Sequence, residues 1–157
     1  MVEQANIRTG EQLNDGRYAC GLLLNCSPAQ ILQLALFMAF MFENLEVYQK
    51  AVNLADSIAG STEEFARGYY FLADQLNRAA LSIATNIAEG NGRFTKPDRK
   101  NFFVIARGST QECVPLLELA RRRNLVSDAK SEQLRNELEI IAKMISGLIN
   151  GLDNRQY

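Results

Sequence analysis

Residues 70–93 read YFLADQLNRAALSIATNIAEGNGR. Leu72, Leu76, Ala79, Ala80, Ile83 and Ile87 recur at three- and four-residue spacing, which builds one apolar face of a helix. Gln75, Arg78, Ser82, Asn86 and Glu89 line up as a second, polar stripe. Ala73, Ala80, Ala84 and Ala88 are small enough to let another helix approach closely. Gly90 stands where a helix end favours a left-handed residue, and Gly92 follows, so the spacing predicts a helix ending at Glu89. The polar stripe has two readings: a solvated face, or a face that meets another helix or subunit.

Working toward the N-terminus, Leu45, Tyr48, Val52, Ala55 and Ile58 predict a helix over roughly 42–59, stopped by Gly60. Ser61 followed by Glu64 has capping-box spacing, so the next helix has a possible start there. Gly68 argues for a later start, because an interior glycine costs about 1 kcal/mol relative to alanine.

Toward the C-terminus, GNGRFT reads as a loop. Thr95 suits an N-cap, Pro97 a first-turn position, and Asp98 the positive end of a helix. The third helix places Phe102, Ala106, Ser109, Cys113, Leu116, Leu117 and Ala120 inward. Gly108 and Pro115 weaken it, and a bend is expected between Gln111 and Pro115. Arg121, Arg122, Arg123 and Asn124 end it, where cations suit the negative helix terminus. Ser127 caps a fourth helix whose seam is Leu134, Leu138, Ile141, Ile145, Leu148 and Leu152. Ile140, Met144 and Ile149 widen that seam. No strand-type alternation occurs. The expected fold is all-α, an antiparallel up-down-up-down four-helix bundle.

The chain has 157 residues, the size of one domain, and 47% of them are hydrophobic. Its formal net charge is -1, so any binding to nucleic acid needs a local basic surface. There is no histidine, which excludes a histidine base, a Ser-His-Asp or Cys-His arrangement and imidazole-ligated zinc. Cys20, Cys26 and Cys113 form no CxxC pair, a usage that suits a reducing cytoplasm. GNGR is too short for a phosphate loop and lacks the GK[ST] ending. No enzyme signature, cofactor motif or metal-ligand spacing is present.

Between residues 93 and 107 lie Arg93, Lys96, Arg99, Lys100 and Arg107 against one acid, Asp98. Phe94, Phe102 and Phe103 are interleaved. Such a patch can hold phosphates and stack bases. In the alternative reading the phenylalanines are core and the cations solubilise the helix start.

Residues 1–41 differ from the rest. No charge occurs between Arg17 and Glu43, and the apolar run AQILQLALFMAFMF is about half the length that spans a bilayer. Three readings stand: a signal or anchor, an extra helix on the bundle, or translated leader upstream of a true start at Met38 or Met41. The expected division is an N-terminal extension over 1–41 and a bundle over 42–157.

FENLEVYQKA, QLNRAALSIATNIAEGNGR and IARGSTQE together resemble a small bacterial family of four-helix-bundle proteins. Its members include proteins encoded by intervening sequences in large-subunit ribosomal RNA genes. They also include the accessory variability determinant (Avd) of diversity-generating retroelements. The resemblance covers roughly residues 42–152. It implies a homopentameric barrel, without catalytic activity, that binds nucleic acid or partners a reverse transcriptase. Arg78, Asn86, Glu89, Gly90 and Arg93 match one recurrent polar motif, and Arg107, Gly108, Ser109 and Glu112 match a second. The near-neutral charge favours the intervening-sequence branch.

Two functional expectations follow. In the first, a cytoplasmic oligomer with no membrane association binds RNA, DNA or a nucleic-acid enzyme through Arg93, Lys96, Arg99, Lys100 and Arg107. In the second, the chain is a self-assembling module with a protein partner. Gln75, Arg78, Ser82, Asn86 and Glu89 then lie between subunits.

Overall fold

The computed structural model describes residues 40–154 and the isolated Ser27. The readings made for residues 1–39, most of the extension and the possible start at Met38, lie outside the described residues apart from Ser27, while the other possible start, Met41, opens the 3-10 turn. Four helices and no strand occur among the described residues. They are α1 (Glu46–Glu63), α2 (Tyr70–Gly92), α3 (Lys96–Arg122) and α4 (Asp128–Asn154), with a 3-10 turn at Met41–Asn44 before α1.

Each helix buries one stripe. Val47, Ala51, Leu54 and Ile58 come from α1, and Leu76, Ala80, Ile83 and Ile87 from α2. Phe103, Ala106, Cys113 and Leu117 come from α3, and Leu134, Leu138, Ile141 and Ile145 from α4. Burying a side chain of this size contributes about 1.5–3 kcal/mol, so these four stripes are what holds the helices together. Burial, reinforced by nearby Glu112, pushes the Cys113 thiol up to about 12, so it packs as a small protonated hydrophobe.

Polar pairs fix the helix directions. Asn77 Nδ2 donates to Thr62 Oγ1 at 2.8 Å, joining the end of α1 to the start of α2. Ser82 and Ser109 hydroxyls meet at 2.9 Å between α2 and α3. Arg121 reaches Asp128 at 3.1 Å, and Lys100 reaches Asp153 at 2.8 Å, between α3 and α4. The Ser82–Ser109, Arg121–Asp128 and Lys100–Asp153 pairs join residues at similar distances on either side of a turn, so α2, α3 and α4 run antiparallel in succession. α1 also packs on α4, which closes an up-down-up-down four-helix bundle.

Several boundaries differ from the sequence reading. α1 begins at Glu46 rather than Phe42, because the 3-10 turn comes first. It runs through Gly60 and Ser61 to Glu63, so the Ser61–Glu64 capping box does not form. Ser61 instead donates to the Ser57 carbonyl. The helix continues because Thr62 is anchored by Asn77 and the next turn buries Phe65. The left-handed turn falls at Gly68, with φ 101°, and α2 starts two residues later.

α2 runs through Gly90 to Gly92, and neither glycine has a positive φ. Gly90 is needed for a different reason. A Cβ there would sit 2.7 Å from Phe103 Cε1 and 3.1 Å from Phe102 Cβ. The glycine therefore lets α3 approach α2. Phe103 is the buried phenylalanine of α3, while Phe102 is half-buried.

Thr95 caps α3 as expected, accepting from the Asp98 amide at 3.3 Å, and Ser127 caps α4, accepting from the Lys130 amide at 3.2 Å. α3 continues past Pro115. The Gln111 carbonyl that the proline leaves without an amide lies on the exposed side, where water can serve it. The α3 end is a Schellman turn. The Leu125 amide bonds the Ala120 carbonyl at 3.0 Å, the Asn124 amide bonds the Arg121 carbonyl at 2.9 Å, and Asn124 takes φ 56°. On α4, Ile149 joins the core, Met144 is half-buried and Ile140 remains exposed.

Candidate nucleic-acid interface

Antiparallel packing brings the C-terminus of α2, the N-terminus of α3 and the C-terminus of α4 to one end of the bundle. Arg93, Lys96, Arg99 and Lys100 collect there. Arg107 lies two turns further along α3, exposed and without a side-chain partner among the described residues.

Each cation at the turn is held differently. Arg93 Nη2 bonds Glu89 Oε2 at 3.1 Å, and its guanidinium lies 4.4 Å from the Phe102 ring centroid. A cation over a ring at the protein surface is worth about 0.5–1 kcal/mol, enough to orient the arginine. Arg99 Nη2 donates to the Asn91 carbonyl at 3.0 Å across the turn, while its Nε is buried without a bond. Lys100 Nζ contacts both oxygens of Asp153 at 2.8 Å. Lys96 also has an interaction of its own. Glu89 and Asp153 thus offset part of the positive charge. Asp153 escapes a local reading, since it is 53 residues from Lys100 in sequence, whereas Glu89 lies one helical turn before Arg93.

The three phenylalanines separate. Phe103 is core, Phe102 lies under Arg93, and Phe94 at the tip of the turn is fully exposed, at 103%. The sequence grouped them, because only the phase of α3 and the position of the turn tell them apart. Thr95 holds the tip rigidly: its hydroxyl donates to Asp98 Oδ2 at 2.5 Å while accepting the Asp98 amide. This capping already serves the helix N-terminus.

The polar stripe of α2 also divides. Ser82 meets Ser109, Asn86 Nδ2 bonds the Ser82 carbonyl at 2.8 Å and hydroxyl at 3.0 Å, and Glu89 holds Arg93. These three residues make contacts within the subunit. Gln75 and Arg78 are exposed and make no such bond among the described residues. Leu81 on α2, next to Ser82 in sequence, and Ile105 on α3, one turn before Ser109, are exposed.

Elsewhere, an open cleft of about 270 Å³ between α1 and α4 is lined by Lys50, Asn53, Ser57, Glu137, Ile140 and Ile141. It includes none of the candidate residues. Among the described residues no three His, Cys, Asp or Glu side chains are grouped to hold a metal ion, and no helix is long and apolar enough to cross a membrane.

Residues 43–147 match the family described as 23S rRNA-intervening sequence protein. Four solved chains match the structure. One is a protein of unknown function from the S23 ribosomal protein family of Bacteroides thetaiotaomicron VPI-5482. It is 24% identical, the match covers 66% of this chain and 97% of that one, and the TM-score is 0.61, a likeness of fold. No curated protein matches the chain.

Proposed function

The chain belongs to the 23S rRNA-intervening sequence protein family, and from that premise we propose a non-enzymatic, homo-oligomeric, cytoplasmic protein that associates with nucleic acid. It binds RNA or DNA, or an enzyme acting on them such as a reverse transcriptase, through the α2–α3 end of the bundle. The observation that carries this reading is the gathering of Arg93, Lys96, Arg99 and Lys100 around one rigid turn of a chain whose net charge is -1. Guanidinium and ammonium groups at such a turn neutralise phosphates and release their counter-ions.

The test is binding of the full chain to structured RNA and duplex DNA at two salt concentrations. With about four phosphate contacts, affinity falls roughly 100-fold between about 50 and 200 mM salt. Charge reversal at Arg99 and Lys100 abolishes the binding while the helical circular dichroism is kept. Binding that survives the reversal places the site elsewhere.

A second reading is a self-assembling module with a protein partner and no intrinsic affinity for nucleic acid. Exposed Leu81 and Ile105, with Arg78 exposed one turn from Leu81 on α2, favour it. A pentameric barrel, as in Avd-type proteins, is its finer form. Sedimentation of Arg78→Ala discriminates: dissociation supports an interface there, and an intact assembly removes it.

A further inference from the structure

We propose that the α2–α3 turn is a reader of single-stranded nucleic acid, with Phe94 as the platform on which an unpaired base stacks. This rests on the nucleic-acid reading above and narrows it to one class of ligand.

Phe94 is the most exposed large apolar side chain of the described residues, and its ring touches neither the core nor another ring. Its surroundings are ordered rather than loose. On one side Arg93 is clamped by Glu89 and by the Phe102 ring. On the other, Thr95 and Asp98 lock the first turn of α3. Arg99 bonds the Asn91 carbonyl and ties the two sides together. A ring projecting from a fixed turn, flanked by cations, can place one base face against itself and the adjoining phosphates against the cations.

A duplex hides its base faces, so it can use only the phosphate contacts. Single strands, loops and bulges expose those faces, and stacking on one aromatic ring adds to binding whatever the base. The geometry therefore predicts a preference for unpaired strands that is carried by the ring and is independent of the charges.

The experiment compares the full-length wild type with Phe94→Ala and Phe94→Trp. Each is titrated with a short single-stranded RNA and with a blunt RNA duplex of the same length. Phe94→Ala weakens single-strand binding about tenfold, leaves duplex binding unchanged, and sediments as the wild type does; Phe94→Trp retains the preference. Equal affinity of Phe94→Ala and wild type for the single strand overturns this inference while leaving the phosphate-binding reading intact. An altered assembly state also overturns it, and assigns the ring to a subunit contact. A wild type that binds neither RNA at low salt overturns the reading beneath it as well.

Discussion

At the α3–α4 end of the bundle, Arg121 bonds Glu118 through two atoms at 2.9 Å and reaches Asp128 at 3.1 Å. Arg122 shares the same Glu118 at 2.7 Å. At the α2–α3 end, Arg93 pairs with Glu89 and Lys100 with Asp153, but Arg99 bonds an uncharged carbonyl and Phe94 stands clear of the core. The α3–α4 turn folds its apolar residues inward, with Val126 buried and Leu125 packed beside Phe65, Leu72 and Ala120. Glu63 and Glu64 close α1 at this same end. The difference teaches that a run of like charge in sequence is a poor guide to a charged surface. Of three consecutive arginines, Arg121 and Arg122 are absorbed by carboxylates one helical turn away and across the turn. The more scattered cations between residues 93 and 107 keep an excess at the surface.

The largest expected effect tests the packing beneath the basic end. Gly90→Ala drives a methyl into Phe103 and lowers the unfolding free energy by about 1–3 kcal/mol in urea denaturation. Gly92→Ala has open space and a negative φ, so it leaves stability equal or slightly raised. Equal effects at the two glycines mean that α2 and α3 do not depend on that close approach.

The next test concerns the opposite end. Hydrogen bonds from Arg121 and then Arg122 hold the Glu118 carboxyl at about 2, below its ordinary 4.5. A depressed carboxylate contributes stability that is present above pH 4.5 and lost as pH falls through about 2. Wild-type acid unfolding therefore contains a proton-linked loss in that window, and Glu118→Gln lacks it. Superimposable pH profiles contradict the neutralised-end account.

The smallest effect sharpens the contrast in charge. Asp153→Asn releases Lys100 from its counter-ion, so RNA affinity at low salt rises by about two- to fivefold and its salt dependence steepens. No change means that Lys100 takes no part in binding.

Much of this fold was legible in sequence because helical periodicity and side-chain caps are local. The buried faces of α2 and α4, the Thr95 cap and the Ser127 cap all follow from residues within one or two turns. What escaped depends on distant partners. Gly60 reads as a stop until Asn77 of the next helix anchors Thr62 beyond it. Gly90 reads as a left-handed cap, and only Phe103 shows it to be a packing glycine. The candidate interface was legible as a cluster of cations, but not as a balance of charges. In sequence Glu89 reads as part of the polar stripe, and Asp153 belongs to another helix. Phe94 reads as one of three interleaved rings, and its exposure follows from the turn that begins only after Gly92.

The most direct test sets one end of the bundle against the other. Full-length protein carrying Arg99→Glu with Lys100→Glu is compared with protein carrying Arg122→Glu with Arg123→Glu, by RNA titration at low salt and by circular dichroism. The account predicts that the first pair loses RNA binding while folded, and that the second pair binds as the wild type does. Loss confined to the second pair, with the first unaffected, contradicts it and moves the interface to the α3–α4 end.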